Sequence, residues 1–317
     1  MAFQVLVTGG AGFIGSHLAQ RLLELGHRVV ILDDFSSGRP EKLTPLQDAG
    51  GERLRVIPGD ILDPQPLAEA MRGTTHVLHQ AAIASVARSL EQPVEVTRAN
   101  VIGTLKVLEA ARDARVRRVV VASSSSVYGD GVSLPVREEA EPAPISPYGV
   151  SKLAAELYAR LFHQLYGLET VALRYFNVFG PRQDPASEYA AVIPRFITAV
   201  LRHQPPVVHG DGEQTRDFTY VENVVQANLL ALEAPGASGE VFNIGCGTAV
   251  SLNELLAALR LLTGRPIQPT HGPPRPGDIR HSLADITRAR RLLGYQPAVS
   301  FREGLARTLD AFRKTLE

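Results

Sequence analysis

The feature that most constrains the fold is a glycine-rich turn, Thr8-Gly-Gly-Ala-Gly-Phe-Ile-Gly15, set between an apolar run and a helical pattern. Residues 3–8 read as a buried strand, and 13–25 as the helix that follows it. Gly9, Gly12 and Gly15 carry no side chains, so backbone N–H groups there can approach a pyrophosphate. The helix N-terminus behind them favours negative charge. The pattern then repeats. Segments 28–33, 54–58, 76–80, 118–122 and 170–175 read as further strands rich in Val, Ile and Leu, with helical stretches such as 94–114 and 147–166 between them. Such alternation predicts an α/β chain, a Rossmann-like doubly wound parallel sheet with helices on both faces. After Gly180-Pro181, prolines and glycines become frequent and apolar runs shorten. We therefore expect a dinucleotide-binding domain over 1–175 and a smaller C-terminal α/β substrate domain over 176–317. Segment 217–245 is expected to be able to return to the first domain, and a terminal helix to start at Phe301.

Charge narrows the partners. Among 317 residues, 33 Lys and Arg balance 33 Asp and Glu, so no global field draws the chain to nucleic acid or an anionic membrane. The single cysteine, Cys246, rules out an intrachain disulfide and suits a reducing compartment. No run reaches the ~18 apolar residues of a membrane span, and no signal peptide is expected at the N-terminus. The expectation is a cytoplasmic protein with no metal site.

Two residues point to chemistry. Tyr148 and Lys152, in Ser146-Pro-Tyr-Gly-Val-Ser-Lys152, are four apart and share one face of a helix. A phenol titrates near ~10, and a general base works best near neutrality. Closing roughly three units takes about 4 kcal/mol of preferential stabilisation of the phenolate. A neighbouring ammonium in a partly dry site, helped by an oxidised nicotinamide, is expected to supply it. Upstream, Asp33 and Asp34 end the second strand, where a carboxylate accepts from a ribose 2′-OH and repels a 2′-phosphate. That favours NAD over NADP, with Arg39 nearby acting against the preference. Asp60 in Pro58-Gly-Asp60 either meets the adenine edge or serves as a turn or cap aspartate. Gln80-Ala81-Ala82 puts small residues at the carboxyl end of the fourth strand, where open α/β sheets bind ligands.

Together with Asn100-Val-Ile-Gly-Thr104, Ser123-Ser-Ser-Ser-Val-Tyr-Gly129, Arg174-Tyr-Phe-Asn177, Arg216-Asp217 and Pro276-Gly-Asp278, these motifs resemble the extended short-chain dehydrogenase/reductase family. Within it they are similar to the nucleotide-sugar 4-epimerases, and the resemblance spans essentially the whole chain. It implies NAD as cofactor and a UDP-sugar as substrate. It makes Ser124 the catalytic hydroxyl, Tyr148 the acid/base, and Lys152 the residue that lowers the phenol pKa and holds the nicotinamide ribose. It extends the cofactor pocket to Phe13, Ile14, Ile61, Asn100 and Tyr175. On the substrate side it implies Ser124, Ser125, Ser126, Asn177, Val192, Arg216, Arg275, Asp278 and Ser282. Pairing of the helices over 94–114 and 147–166 is expected to make a homodimer.

Within that family, 4,6-dehydratases carry an Asp-Glu pair directly after the catalytic hydroxyl, and UDP-glucuronate decarboxylases usually a glutamate at the second position. Here Ser125 and Ser126 stand there. The chemistry left is hydride transfer coupled to proton transfer, as 4-epimerisation through a transient 4-keto sugar requires. Segment 182–194 resembles epimerases that accept UDP-N-acetylhexosamines, and Ser282 leaves space where a tyrosine is associated with exclusion of the N-acetyl group. We expect both UDP-Glc/UDP-Gal and UDP-GlcNAc/UDP-GalNAc as substrates. A UDP-glucuronate 4-epimerase or a lyase of the same fold are the alternatives.

Overall fold

The computed structural model describes residues 2–184, 191–274 and 279–316. Seven parallel strands form one sheet: β1 (Gln4–Thr8), β2 (Arg28–Asp33), β3 (Leu54–Pro58), β4 (His76–His79), β5 (Arg118–Ser124), β6 (Glu169–Tyr175) and β7 (Glu240–Ile244). Their order is β7-β6-β5-β4-β1-β2-β3. Strand order thus reverses at β1, which pairs with β2 on one side and β4 on the other. A crevice opens at such a reversal, outside the carboxyl ends of the strands. The glycine turn leaves β1 there and Gln80 leaves β4. β7, from the return segment, pairs with β6 from Glu240↔Val171 to Ile244↔Tyr175.

β5 runs two residues further than its apolar pattern, because the Ser123 and Ser124 backbones pair with Arg174 and Tyr175. Tertiary pairing overrides the low strand preference of serine, and Ser124 is carried to the rim of the crevice. The expected helix over 94–114 is broken into Pro93–Thr97, a π-helical turn at Arg98–Ile102, and α2 (Gly103–Asp113). Thr104 Oγ1 donates to the Asn100 carbonyl at 2.6 Å, and Gly103 sits so close to Ile61 that a Cβ would meet its Cδ1 at 2.5 Å. Such bulges recur at functional sites, and this one carries Asn100.

Helix α1 (Phe13–Glu24) follows the glycine turn, and α3 (Pro147–Tyr166) spans 20 residues. Ser146 caps α3, accepting from Gly149 N at 3.1 Å, with Pro147 in its first turn; Gly167, at φ +70°, ends it. One face of the sheet buries Leu18 and Leu22 of α1 together with Val224, Ala227 and Ala231 of α4 (Val221–Glu233). The other buries Val107 and Leu108 of α2 with Ala155, Ala159 and Phe162 of α3. A second core gathers Ile193 and Phe196, Leu255 and Leu259, Leu309 and Phe312 from helices Val192–Leu201, Leu252–Thr263 and Phe301–Leu316. Among the described residues, no helix is long and apolar enough to cross a membrane.

Candidate active site

The turn expected to cradle the cofactor is built by close backbone packing. Gly9 has φ +69°, and a Cβ there would lie 2.7 Å from Ala81 N. At Gly15 a Cβ would lie 2.1 Å from Gly9 O. Gly12 caps α1 without a side-chain hydrogen bond, and the first turn holds no acidic residue. Its N–H groups and positive dipole end are therefore directed at the crevice with no side-chain cap, beside half-buried Phe13 and Ile14. Asp33 lies across the turn, one oxygen accepting from Ala11 N at 2.8 Å and the other from Phe35 N at 2.9 Å. Burial pushes its carboxyl pKa up, against those two hydrogen bonds. Each oxygen keeps a further lone pair for a ribose hydroxyl. A bare helix N-terminus, a cradle any Cβ would fill and a strand-end carboxylate fit a dinucleotide.

Other expected contacts carry local structure. Asp34 is exposed and accepts from Ser36 N at 2.9 Å and Ser36 Oγ at 2.7 Å. Asp60 is exposed and accepts from Leu62 N at 2.9 Å, which is the turn arrangement, while Ile61 is buried behind it. Arg39 pairs with Asp184 at 2.6 Å. Asn100 is buried and clamps the chain leaving β4. It accepts from Ile83 N at 2.8 Å and donates to Ile83 O at 3.1 Å and Ser151 Oγ at 3.0 Å. Gln80 Nε2 donates to the Tyr175 hydroxyl at 3.1 Å, and that oxygen also takes Asn228 Nδ2 at 2.8 Å. This network joins β4, β6 and α4. Burial lifts the Tyr175 phenol to about 12, so it acts as a fixed neutral group.

Ser124, Tyr148 and Lys152 come together at the carboxyl end of β5. Ser124 Oγ accepts from Ser126 N and lies within reach of Ser126 Oγ, each at 3.1 Å, and the same hydroxyl acts to hold the Tyr148 pKa down. Lys152 is buried one turn further along α3, donating to Ala122 O at 2.9 Å, with Nζ 5.9 Å from the Tyr148 ring centre. In one respect the electrostatics depart from expectation. Burial dominates at Tyr148 and raises its pKa, and the opposing influence is the Ser124 hydrogen bond rather than the lysine. Burial likewise lowers Lys152 to about 8. The reason is depth: Lys152 is buried and its ammonium donates to the Ala122 carbonyl.

On the substrate side, Asn177 is exposed just past β6 with φ +20°, a conformation L residues rarely adopt. Arg216 Nη1 donates to Thr215 O at 2.9 Å and Arg280 O at 3.2 Å, and Ser282 N donates to the same Thr215 carbonyl at 3.2 Å. Arg216 and Ser282 are therefore neighbours. Asp217 anchors them from below, buried and accepting from Cys246 N, Gly247 N and Ala284 N. Ser125 and Ser126 are half-buried beside Ser124, and Val192 opens its helix. Arg275 and Asp278 lie outside the described residues.

Residues 5–245 match the model of the NAD dependent epimerase/dehydratase family. The chain belongs to this family. It is 42% identical to the UDP-glucose 4-epimerase of Mycolicibacterium smegmatis, over 98% of each chain. The crystal structure of Thermotoga maritima UDP-glucose 4-epimerase with UDP-glucose superposes with a TM-score of 0.93 at 41% identity, covering 99% of this chain and 100% of that one. UDP-N-acetylglucosamine 4-epimerase from Methanobrevibacter ruminantium, in complex with UDP-N-acetylmuramic acid, gives 0.94 at 40% identity over 99% of both. As a member of this family the chain is an NAD-dependent enzyme of the epimerase type. Asn228, Glu156 and Arg174 belong to the site's support, and none was assigned a role from sequence.

Proposed function

We propose that this enzyme interconverts the 4-epimers of UDP-hexoses, both UDP-Glc with UDP-Gal and UDP-GlcNAc with UDP-GalNAc. The observation that carries the reading is the meeting of Ser124 and Tyr148 beside buried Lys152, with serines at 125 and 126 where elimination would need an acid. A dinucleotide held in the cradle would supply the acceptor, and then the donor, of the sugar C4 hydride. Tyr148 accepts the proton of the 4-hydroxyl and later gives it back, while Ser124 shares that hydrogen bond. The Lys152 ammonium supplies positive charge near the phenolate. Gly9, Gly12, Gly15 and Asp33 hold the dinucleotide; Asn177 and Arg216 hold the sugar nucleotide by its diphosphate end. The sugar turns about that tether between the two transfers, so the nucleotide is gripped and the hexose is left room. Ser282 leaves the space an N-acetyl group needs.

We place the enzyme in the cytoplasm as a homodimer. Support for the dimer is an exposed apolar stripe on α3, with Val150, Leu157, Leu161 and Leu165 at helical spacing and Leu165 68% exposed, next to Val94 at 81%.

Incubation of the purified protein with UDP-Glc, UDP-GlcNAc or UDP-GlcA, with no cofactor added and products resolved by chromatography, tests the reading. Interconversion of the first two pairs is expected, and Ser282→Tyr should impair the N-acetylated pair selectively. Turnover of UDP-GlcA alone, a deoxy-keto or pentose product, or net release of NADH contradicts it.

A further inference from the structure

Beneath the reacting groups lies a buried ion pair that the chemistry above leaves unused. Glu156 follows Lys152 by one turn of α3, and both are buried. Its carboxylate accepts from Arg174 Nε at 2.9 Å and Nη2 at 2.7 Å, and from Ser123 Oγ. Arg174 stands opposite Ser123 in the register of β5 and β6, so the three side chains meet across neighbouring strands. The guanidinium also lies 4.6 Å from the ring centre of Tyr128, just past the turn that Ser124 caps, and the Tyr128 hydroxyl donates to Asn243 Oδ1 at 2.6 Å. The strand end, the helix and the turn that carry Ser124, Tyr148 and Lys152 are all tied to this pair. Buried ion pairs contribute little net stability compared with apolar packing. What this one does supply is charge and position. Lys152, Arg174 and Glu156 sum to one net positive charge close to the phenol.

Resting on the epimerase reading above, we propose that Glu156 and Arg174 are positioning residues that hold Ser123, and with it Ser124, at the strand end and set the charge of Lys152. The groups facing Lys152 agree. Tyr148 and Glu156 lie on its own helix, Arg174 of β6 reaches it through Glu156, and β5 contributes only serine hydroxyls and the Ala122 carbonyl. His79 of β4 is held between Thr8 Oγ1 at 2.7 Å and Thr104 Oγ1 at 3.0 Å, its pKa lowered to about 3 by burial first and by Lys152 second, so it is neutral. Of the charged side chains on the helical segments packed nearby, Glu91, Glu95 and Arg98 are exposed, and half-buried Arg88 pairs with Glu95 at 2.7 Å. Burial is what lowers Lys152, and Glu156 opposes it. Loss of the Glu156 carboxylate therefore lets Lys152 shed its proton at lower pH. Loss of Arg174 leaves that carboxylate acting undivided on Lys152, which then keeps its proton to higher pH.

The chain has four lysines, Lys42, Lys106, Lys152 and Lys314, so Lys152 is resolvable by titration of lysine labelled with 13C at the ε position in the protein as purified. It should titrate near 8 in the parent protein, about one pH unit lower in Glu156→Gln and about one unit higher in Arg174→Met. The basic limb of kcat/KM for UDP-glucose epimerisation should move the same way in each. A pair that acts only as scaffold lowers the melting temperature of both variants and moves neither titration. Unmoved midpoints, or midpoints that shift in one common direction, overturn the proposal. Should either variant not fold, Ser123→Ala decides. We expect kcat to fall about tenfold with KM and the Lys152 midpoint unchanged, and an unchanged kcat overturns the positioning role. The titration reads ionisation without turnover. A protein that titrates as described but does not epimerise contradicts the functional reading and leaves this inference standing.

Discussion

Replacing Tyr148 with phenylalanine should lower turnover by about 10²–10⁴-fold while leaving UDP-sugar affinity close to that of the parent enzyme. The range is the usual contribution of a positioned proton-transfer group. The ring stays and only the hydroxyl goes, so packing around it is conserved. Ser124 remains, but its hydroxyl is already engaged with Ser126 and has no charged form in reach to accept a sugar proton. Because burial raises the Tyr148 pKa, the phenolate must form inside the complex, helped by Ser124, Lys152 and the charge of the oxidised nicotinamide. Steady-state rates set beside calorimetric affinities give the answer. Near-normal turnover would remove Tyr148 from the mechanism.

Gly15→Ala is the second large effect. The new methyl would stand 2.1 Å from Gly9 O and 2.8 Å from Gly10 Cα, both backbone atoms that cannot rotate away. Relief requires the turn to move, and Gly9 is itself pressed against Ala81. We expect a loss of about 1–3 kcal/mol in stability, the usual range for overpacking. NAD should also be absent from the purified protein, since the N–H cradle is displaced. Gly26→Ala is the control. Gly26 has positive φ (+83°), but nothing lies within 4 Å of its added Cβ, so it should cost about 1 kcal/mol and keep the cofactor. Urea unfolding and the nucleotide released on denaturation report both. Full NAD occupancy in Gly15→Ala would mean the turn is not the cradle.

These effects trace to features that differ in how openly the sequence displays them. The glycine turn, the strand-end aspartate and the Tyr148–Lys152 spacing are local patterns, and local patterns can be read along the chain. The strands were legible wherever apolar residues run together. The last two residues of β5 were not, because serines extend that strand only through pairing with Arg174 and Tyr175. The π-helical turn was hidden for a similar reason: Asn100 is polar, and its partners Ile83 and Ser151 lie 17 and 51 residues away. Asn228 sits among apolar neighbours in α4, and only the fold reveals that it reaches Tyr175 and Gln80. Glu156, four residues after Lys152, carries no motif that marks it in the sequence. In the fold its hydrogen bonds go to Arg174 and Ser123. The direction of the Tyr148 shift escaped for the same cause, since spacing gives proximity and not depth of burial.

The central claim is that the hydrogen on C4 leaves the sugar and returns to the same carbon. Epimerisation of UDP-glucose in heavy water, followed by mass spectrometry and proton NMR of the UDP-galactose formed, tests it most directly. Inverted product with no deuterium at C4 is expected. Deuterium at C4 would contradict it, because that carbon would then have exchanged its hydrogen with solvent.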